Sequence, residues 1–208
     1  MRRRDFILGL AATSAALSAL SLSGCVTHAL PDEPGDACDM FRNQGGWWRA
    51  VKGAERRWGA PPALQLAIIR QESGFRYRAR PPEKHILWVI PWGHVTSAHG
   101  YAQALNSTWD EYKRARGDEG VDRTEFSDAT DFVAWYASVS HTQLGIAYSD
   151  ARGHYLAYHE GRGGYARHTY DNDTALLASA ARVQRYRDAY QAQLDRCEGS
   201  LNHWWWPF

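Results

Sequence analysis

The chain has 208 residues, with 24 Lys and Arg against 23 Asp and Glu, and a formal net charge of +1 at pH 7. This balance, without a basic block, excludes nucleic acid as the expected partner. The three cysteines show no C-x-x-C and no Cys/His ligand spacing, which argues against a zinc site.

The N-terminal stretch sets the expected compartment. Met1-Arg2-Arg3-Arg4 is followed by an apolar, small-residue run from Phe6 to Ser23, the length of a signal-peptide core with charge on one side only. The run ends Leu22-Ser23-Gly24-Cys25, which resembles a bacterial lipobox. That resemblance implies that residues 1–24 are a lipoprotein signal peptide and that Cys25 receives the lipid, anchoring the chain to a membrane. A plain secretion signal with a chance cysteine is the alternative. Arg3-Arg4-Asp5-Phe6-Ile7-Leu8 also resembles a twin-arginine export signal, a less specific match because basic residues open most signal peptides. Val26, where Asp usually retains a lipoprotein at the inner membrane, implies an outer-membrane location facing the periplasm.

Residues 25–45, with Pro31, Pro34, Gly35 and several acids, read as lipid attachment and tether. A first amphipathic helix is predicted over 46–58, closed by Gly59 and Pro61-Pro62. The next helix starts at the prolines, which suit a first turn, and runs through Ala63-Leu64-Gln65-Leu66-Ala67-Ile68-Ile69-Arg70-Gln71-Glu72-Ser73. Leu64, Ile68 and Glu72 share one face by their spacing of four. Glu72 thus extends an apolar stripe, and burial there raises a carboxyl pKa toward the range of a general acid. Gly74 ends the helix and leaves Glu72 in its last turn. Taken alone, the stretch is more often an ordinary solvated helix end.

Residues 76–99 read as irregular, long for a loop, and therefore either functional or carrying short elements. Helices follow near 106–116, from about Asp122–Asp128 to 149, and over 174–196, with Gly161, Gly163 and Gly164 predicted to force a loop. Cys197 continues the stripe Val183, Tyr186, Tyr190, Leu194, so it faces the core, where Cys38 can meet it in a disulfide. Two buried free thiols are the alternative. The class is mostly α.

Three stretches then fall in order: Glu72-Ser73-Gly74-Phe75, Gly100-Tyr101-Ala102-Gln103, and Ala157-Tyr158-His159-Glu160-Gly161 with Gly163. Together they resemble the catalytic domain of soluble lytic transglycosylases, related to goose-type lysozyme. The resemblance implies a lysozyme-like helical domain over residues 46–198 with a substrate groove, followed by a Trp-rich tail at 199–208. It implies peptidoglycan glycan strands as substrate and no cofactor. Glu72 matches the family's acid/base. Ser73 and Gln103 match positions that line the sugar site, and Tyr158 matches the tyrosine beside the acid. The implied reaction cleaves the bond between N-acetylmuramic acid and N-acetylglucosamine and closes a 1,6-anhydro ring.

The chain departs from the family pattern in places. Tyr101 and Ala102 stand inside the Gly-x-x-Gln segment, His159 replaces the usual Asn, and Glu160 replaces a small residue. Tyr101 and His159 are retained as substrate-binding candidates. Glu160 is either a solvated side chain or a second carboxylate favouring hydrolysis. A lysozyme-like muramidase and a non-catalytic glycan-binding scaffold are therefore the alternatives. His94 and His99 lie off a shared helical face, so no metal site is expected. Trp47, Trp48, Trp58, Trp109 and Trp135 read as core more than site. Trp88, Trp92 and Tyr77 are candidates for stacking on sugar faces. Trp204–Trp206 is compatible with folding back, with a lipid surface or with a partner.

Overall fold

The computed structural model describes residues 28–81, 83–86, 90–94 and 97–203. The expectations for Cys25, Trp88 and Trp204–Trp206, and for the Trp92 side chain, lie outside the described residues. Among the described residues there are seven helices and one two-stranded hairpin: α1 (Ala37–Asn43), α2 (Trp47–Trp58), α3 (Pro62–Ser73), β1 (Glu83–Ile86), β2 (Ile90–His94), α4 (Asn106–Arg116), α5 (Phe126–Leu144), α6 (Ala151–Ala166) and α7 (Thr174–His203). The fold is mostly helical, as the periodicities predict.

The body is built around α3. Pro62 stands in its first turn with Pro61 extended before it. From Pro62 to Ile69 every residue is buried. A helix apolar on all sides belongs inside a bundle, and α3 packs against α2, α5, α6 and α7. The one polar residue in this run, Gln65, donates to the carbonyls of Val51 (3.0 Å) and Ala60 (2.8 Å). Its amide thereby satisfies α2 and the connection that follows it while remaining buried. A second polar tie joins α2, α4 and α5. Asp131, 5% exposed, accepts from Arg57, from Trp58 Nε1 (3.0 Å) and from the Tyr112 hydroxyl (2.9 Å), with Arg116 Nε 3.2 Å away.

Four predicted features change in three dimensions. The stretch at 76–99 contains an antiparallel hairpin, with Glu83 opposite His94 and Ile86 opposite Ile90. Pro91 and Gly93 interrupt any period-2 signal there. The tether ends earlier than residue 45, because α1 packs on α7, and His28 already stacks on Tyr77 at 4.2 Å. The last helix runs to His203, past the expected boundary at 198. The glycines at 161–164 form no loop. Only Gly161 leaves the helical region (φ 73°, ψ 157°), as a kink within α6. Gly164 is needed for contact instead: a Cβ there would sit 2.9 Å from Glu160 Cβ and 3.0 Å from Thr169 Oγ1.

Cys38 and Cys197 are bonded, 159 residues apart in sequence, and join α1 to α7. Closing so long a loop restricts the unfolded chain. Replacing both cysteines by serine is expected to lower stability by about 3–5 kcal/mol. The loss is read as a lower denaturant midpoint with an active native state below it.

Candidate active site

Glu72 occupies the last turn of α3 because the chain reverses directly after it. Gly74 (φ 58°) and Phe75 (φ 64°) both lie in the left-handed region. Glycine takes this conformation freely, whereas Phe75 is strained in it. Burial of the Phe75 ring to 1% exposure, against Trp47 at 5.7 Å, offsets the strain. Glu72 keeps part of its surface open, yet enough protein surrounds its carboxyl to push the pKa up to about 7. Burial is the larger influence, and a hydrogen bond from Tyr155 opposes it. No described carboxylate contributes to the shift.

Tyr155 was not anticipated. It sits on α6, 5% exposed, hydrogen-bonded to Glu72 and beside Gln71. Burial and the neighbouring Glu72 hold its own pKa well above the usual phenol range, so it remains a proton donor in the bond. The available signal was its spacing from Tyr158: two tyrosines three apart on a helix lie on one face. Replacing Tyr155 by Phe removes a donor that favours the carboxylate. The Glu72 pKa is then expected to rise, moving the alkaline limb of cleavage up by about one pH unit, since a hydrogen bond to a charged group contributes about 1.5–3 kcal/mol. A pH–rate profile checks it.

The Gly100–Gln103 segment forms a tight, pinned turn beside this acid. Gly100 (φ 80°) receives no side chain because the Arg123 carbonyl lies against it. The Gly100 amide donates to Ala79 O (3.0 Å) and the Tyr101 amide to Arg123 O (3.2 Å). Gln103 Nε2 donates to the carbonyls of Ala79 and Gly100, both at 2.8 Å. Its amide therefore latches the segment to residue 79. From α6, the Tyr158 hydroxyl donates to Ala102 O at 2.5 Å. Tyr158 also feels the Glu72 charge. The three sequence stretches are thus brought together, with Tyr158 bridging the second and third.

Two substrate-contact expectations are corrected. Tyr101 is a core residue, 1% exposed, set edge-on to Trp47 (6.1 Å) and Phe126 (5.5 Å). Its apolar ring completes the aromatic core under the turn, and burial pushes its pKa up to about 12. Ser73 is equally buried. Its hydroxyl donates back to Ile69 O at 3.2 Å, within its own helix. His159 is half exposed on α6. Its Nδ1 lies 3.1 Å from Glu160 Oε1. Glu160 is neither free in solvent nor joined to Glu72. Thr169 donates to its other oxygen at 2.5 Å, and the Thr169 and His159 bonds hold its pKa below the usual range.

A helix-end acid, a glycine-led turn ending in Gln and a tyrosine-bearing helix therefore meet in one place. The family model described as Transglycosylase SLT domain matches residues 13–197. The chain belongs to that family. Its activity is in general that of a lytic transglycosylase on peptidoglycan glycan strands, within the cell envelope. No curated protein matches the chain.

Proposed function

We propose that Glu72 cleaves the β-1,4 bond between N-acetylmuramic acid and N-acetylglucosamine and leaves a 1,6-anhydro end. The observation that carries this reading is the isolation of Glu72, a carboxyl raised to about pKa 7 with a phenol partner and no described second carboxylate contributing to it. The protonated acid gives its proton to the glycosidic oxygen as the C1–O bond breaks. The C6 hydroxyl of the same muramic acid attacks C1, and the Glu72 carboxylate takes the hydroxyl proton, which restores the acid. One carboxyl serves both steps because the nucleophile is already tethered to the substrate. A hydrolase with two carboxylates needs a second group aimed at a water, and Glu160 is engaged by Thr169 and His159 instead. Mass analysis of digested peptidoglycan tests the proposal. Anhydro ends are expected, and reducing muramic acid ends would replace this reading with the muramidase.

The setting proposed with it is a lipid-anchored protein of the outer membrane, supported by Leu22-Ser23-Gly24-Cys25 and Val26. The mass of the N-terminal peptide from membrane fractions tests it. A diacylglyceryl adduct on Cys25 is expected.

A further inference from the structure

The segment that leads into α1 is clamped to the body instead of hanging free. The carbonyl of Pro34 accepts from the Tyr190 hydroxyl, and that of Gly35 from Gln193 Nε2 at 2.9 Å, both donors lying on α7. The Ala37 amide donates to Gln193 Oε1 at 2.8 Å. Pro31 is buried. At the far end the His28 ring stacks on Tyr77, centroids 4.2 Å apart and 12° from parallel, and its Nε2 lies 3.6 Å from Glu125 Oε1. Tyr77 is five residues past Glu72, and the Arg76 amide on Ser73 O (3.3 Å) folds the chain between them. Residues 28–36 are thus fixed from α7 to the loop that leaves the acid helix.

Cys25 precedes the His28 clamp by three residues. Three residues span at most about 11 Å, against about 40 Å for the twelve that separate Cys25 from α1. Resting on the lipid-anchor reading above, this short reach sets the surface around Tyr77 beside the membrane. That surface has the composition of a lipid contact. Among the described residues the exposed large apolar side chains are Leu30, 53% exposed, and Leu105, 44%. Leu30 is two residues from His28. Leu105 is two residues from Gln103, whose amide is bonded to Ala79 O. Arg76, Arg78 and Arg80 alternate along this loop and are all exposed. The Arg78 guanidinium carbon lies 5.0 Å from the centre of the Tyr77 ring, the ring on which His28 stacks. Asp32, Glu33 and Asp36 belong to the part of the segment that runs back toward α1. We propose that residues 28–36 act as a strap that presses Arg76, Arg78 and Arg80 onto the anionic phospholipid surface of the anchoring membrane, with Leu30 and Leu105 entering its headgroup layer. Basic side chains beside an anionic leaflet are attracted to it, within a screening length of about 8–10 Å. The loop after the acid is thereby held at the lipid, and cleavage is confined to glycan strands near the membrane.

The test uses the full chain, held by its own lipid in vesicles containing phosphatidylglycerol. Nitroxides on Leu30→Cys and Leu105→Cys are expected to respond more to oxygen, which concentrates in lipid, than to a water-borne nickel chelate. A nitroxide on Thr142→Cys, an exposed position near the end of α5, is expected to respond in the opposite sense. Replacing Arg76, Arg78 and Arg80 together by Gln is expected to give the label at 105 the aqueous response. An aqueous response at 30 and 105 in the lipid-anchored parent would overturn the proposal. If the N-terminal peptide carries no lipid, the anchor reading fails by itself and the same chain tests the surface unaided. It is then expected to sediment with phosphatidylglycerol vesicles and not with phosphatidylcholine vesicles. The triple Gln variant should bind about a hundredfold more weakly, since each basic group contributes roughly fivefold. Equal sedimentation with the two lipids would overturn the proposal. So would a triple variant that keeps vesicle binding and the parent melting temperature but loses binding to isolated peptidoglycan, because the arginines would then serve the substrate. None of these readouts depends on which bond Glu72 cleaves.

Discussion

Glu72→Gln is expected to lower peptidoglycan cleavage by at least about a thousandfold, because one positioned acid/base contributes about 10²–10⁴ and Glu72 serves both proton transfers. The same substitution is expected to stabilise the protein at alkaline pH. The folded pKa of Glu72 is about 7, against an ordinary value of 4.5. Between those values the folded state binds the proton more tightly than the unfolded chain, so stability falls as pH rises through that window. Below pH 4.5 both states are protonated and there is no penalty. Above pH 7 the full cost of a buried carboxylate is present, about 2–3 kcal/mol after allowing for its partial exposure. Gln removes the charge and can still accept from Tyr155. Thermal unfolding should therefore show Glu72→Gln more stable than the parent at pH 8, with the two curves converging at pH 4. Equal melting temperatures at pH 8 would mean that the carboxyl is solvated and its pKa ordinary. Activity and stability are set against each other at this residue, as expected where function requires a buried acid.

Gly100→Ala is expected to damage both fold and activity. A Cβ at this position would lie 2.2 Å from the Arg123 carbonyl oxygen and 2.8 Å from its carbon, and these are backbone atoms that no rotamer change relieves. The backbone conformation (φ 80°) is itself unfavourable for alanine. Together the two effects are expected to cost about 2–5 kcal/mol, or a fall in melting temperature of about 5–15 °C for a chain of this size. The turn carries the Ala102 carbonyl that receives Tyr158 and the Gln103 latch to Ala79. Displacing it by even about 1 Å is expected to reduce cleavage on the order of a hundredfold. Gly74→Ala provides the contrast. Gly74 is also left-handed, yet nothing lies within 4 Å of its Cβ position. It should cost only about 1 kcal/mol, from conformation alone. Melting curves of the two variants separate crowding from backbone strain.

The helical class, the proline start and Gly74 stop of α3, and the placement of Glu72 in its last turn were legible in the sequence. Each depends on interactions within one or two turns, where propensity, capping and periodicity act directly. The Cys38–Cys197 pairing was legible for a related reason, since the apolar stripe of α7 carries Cys197 into the core. The order of the three motifs was legible as well, and with it the family. The environment of the acid was not. Tyr155 is 83 residues beyond Glu72, and no local rule relates a phenol on α6 to an acid on α3. Packing decided that Tyr155 and not a second carboxylate meets Glu72, and that Glu160 is turned to Thr169. It also placed Tyr101 under the turn and Ser73 against Ile69. Local spacing named the acid; the contacts among α3, α6 and α7 settled its proton affinity and its hydrogen-bond partners, because burial and donor geometry are properties of the assembled fold.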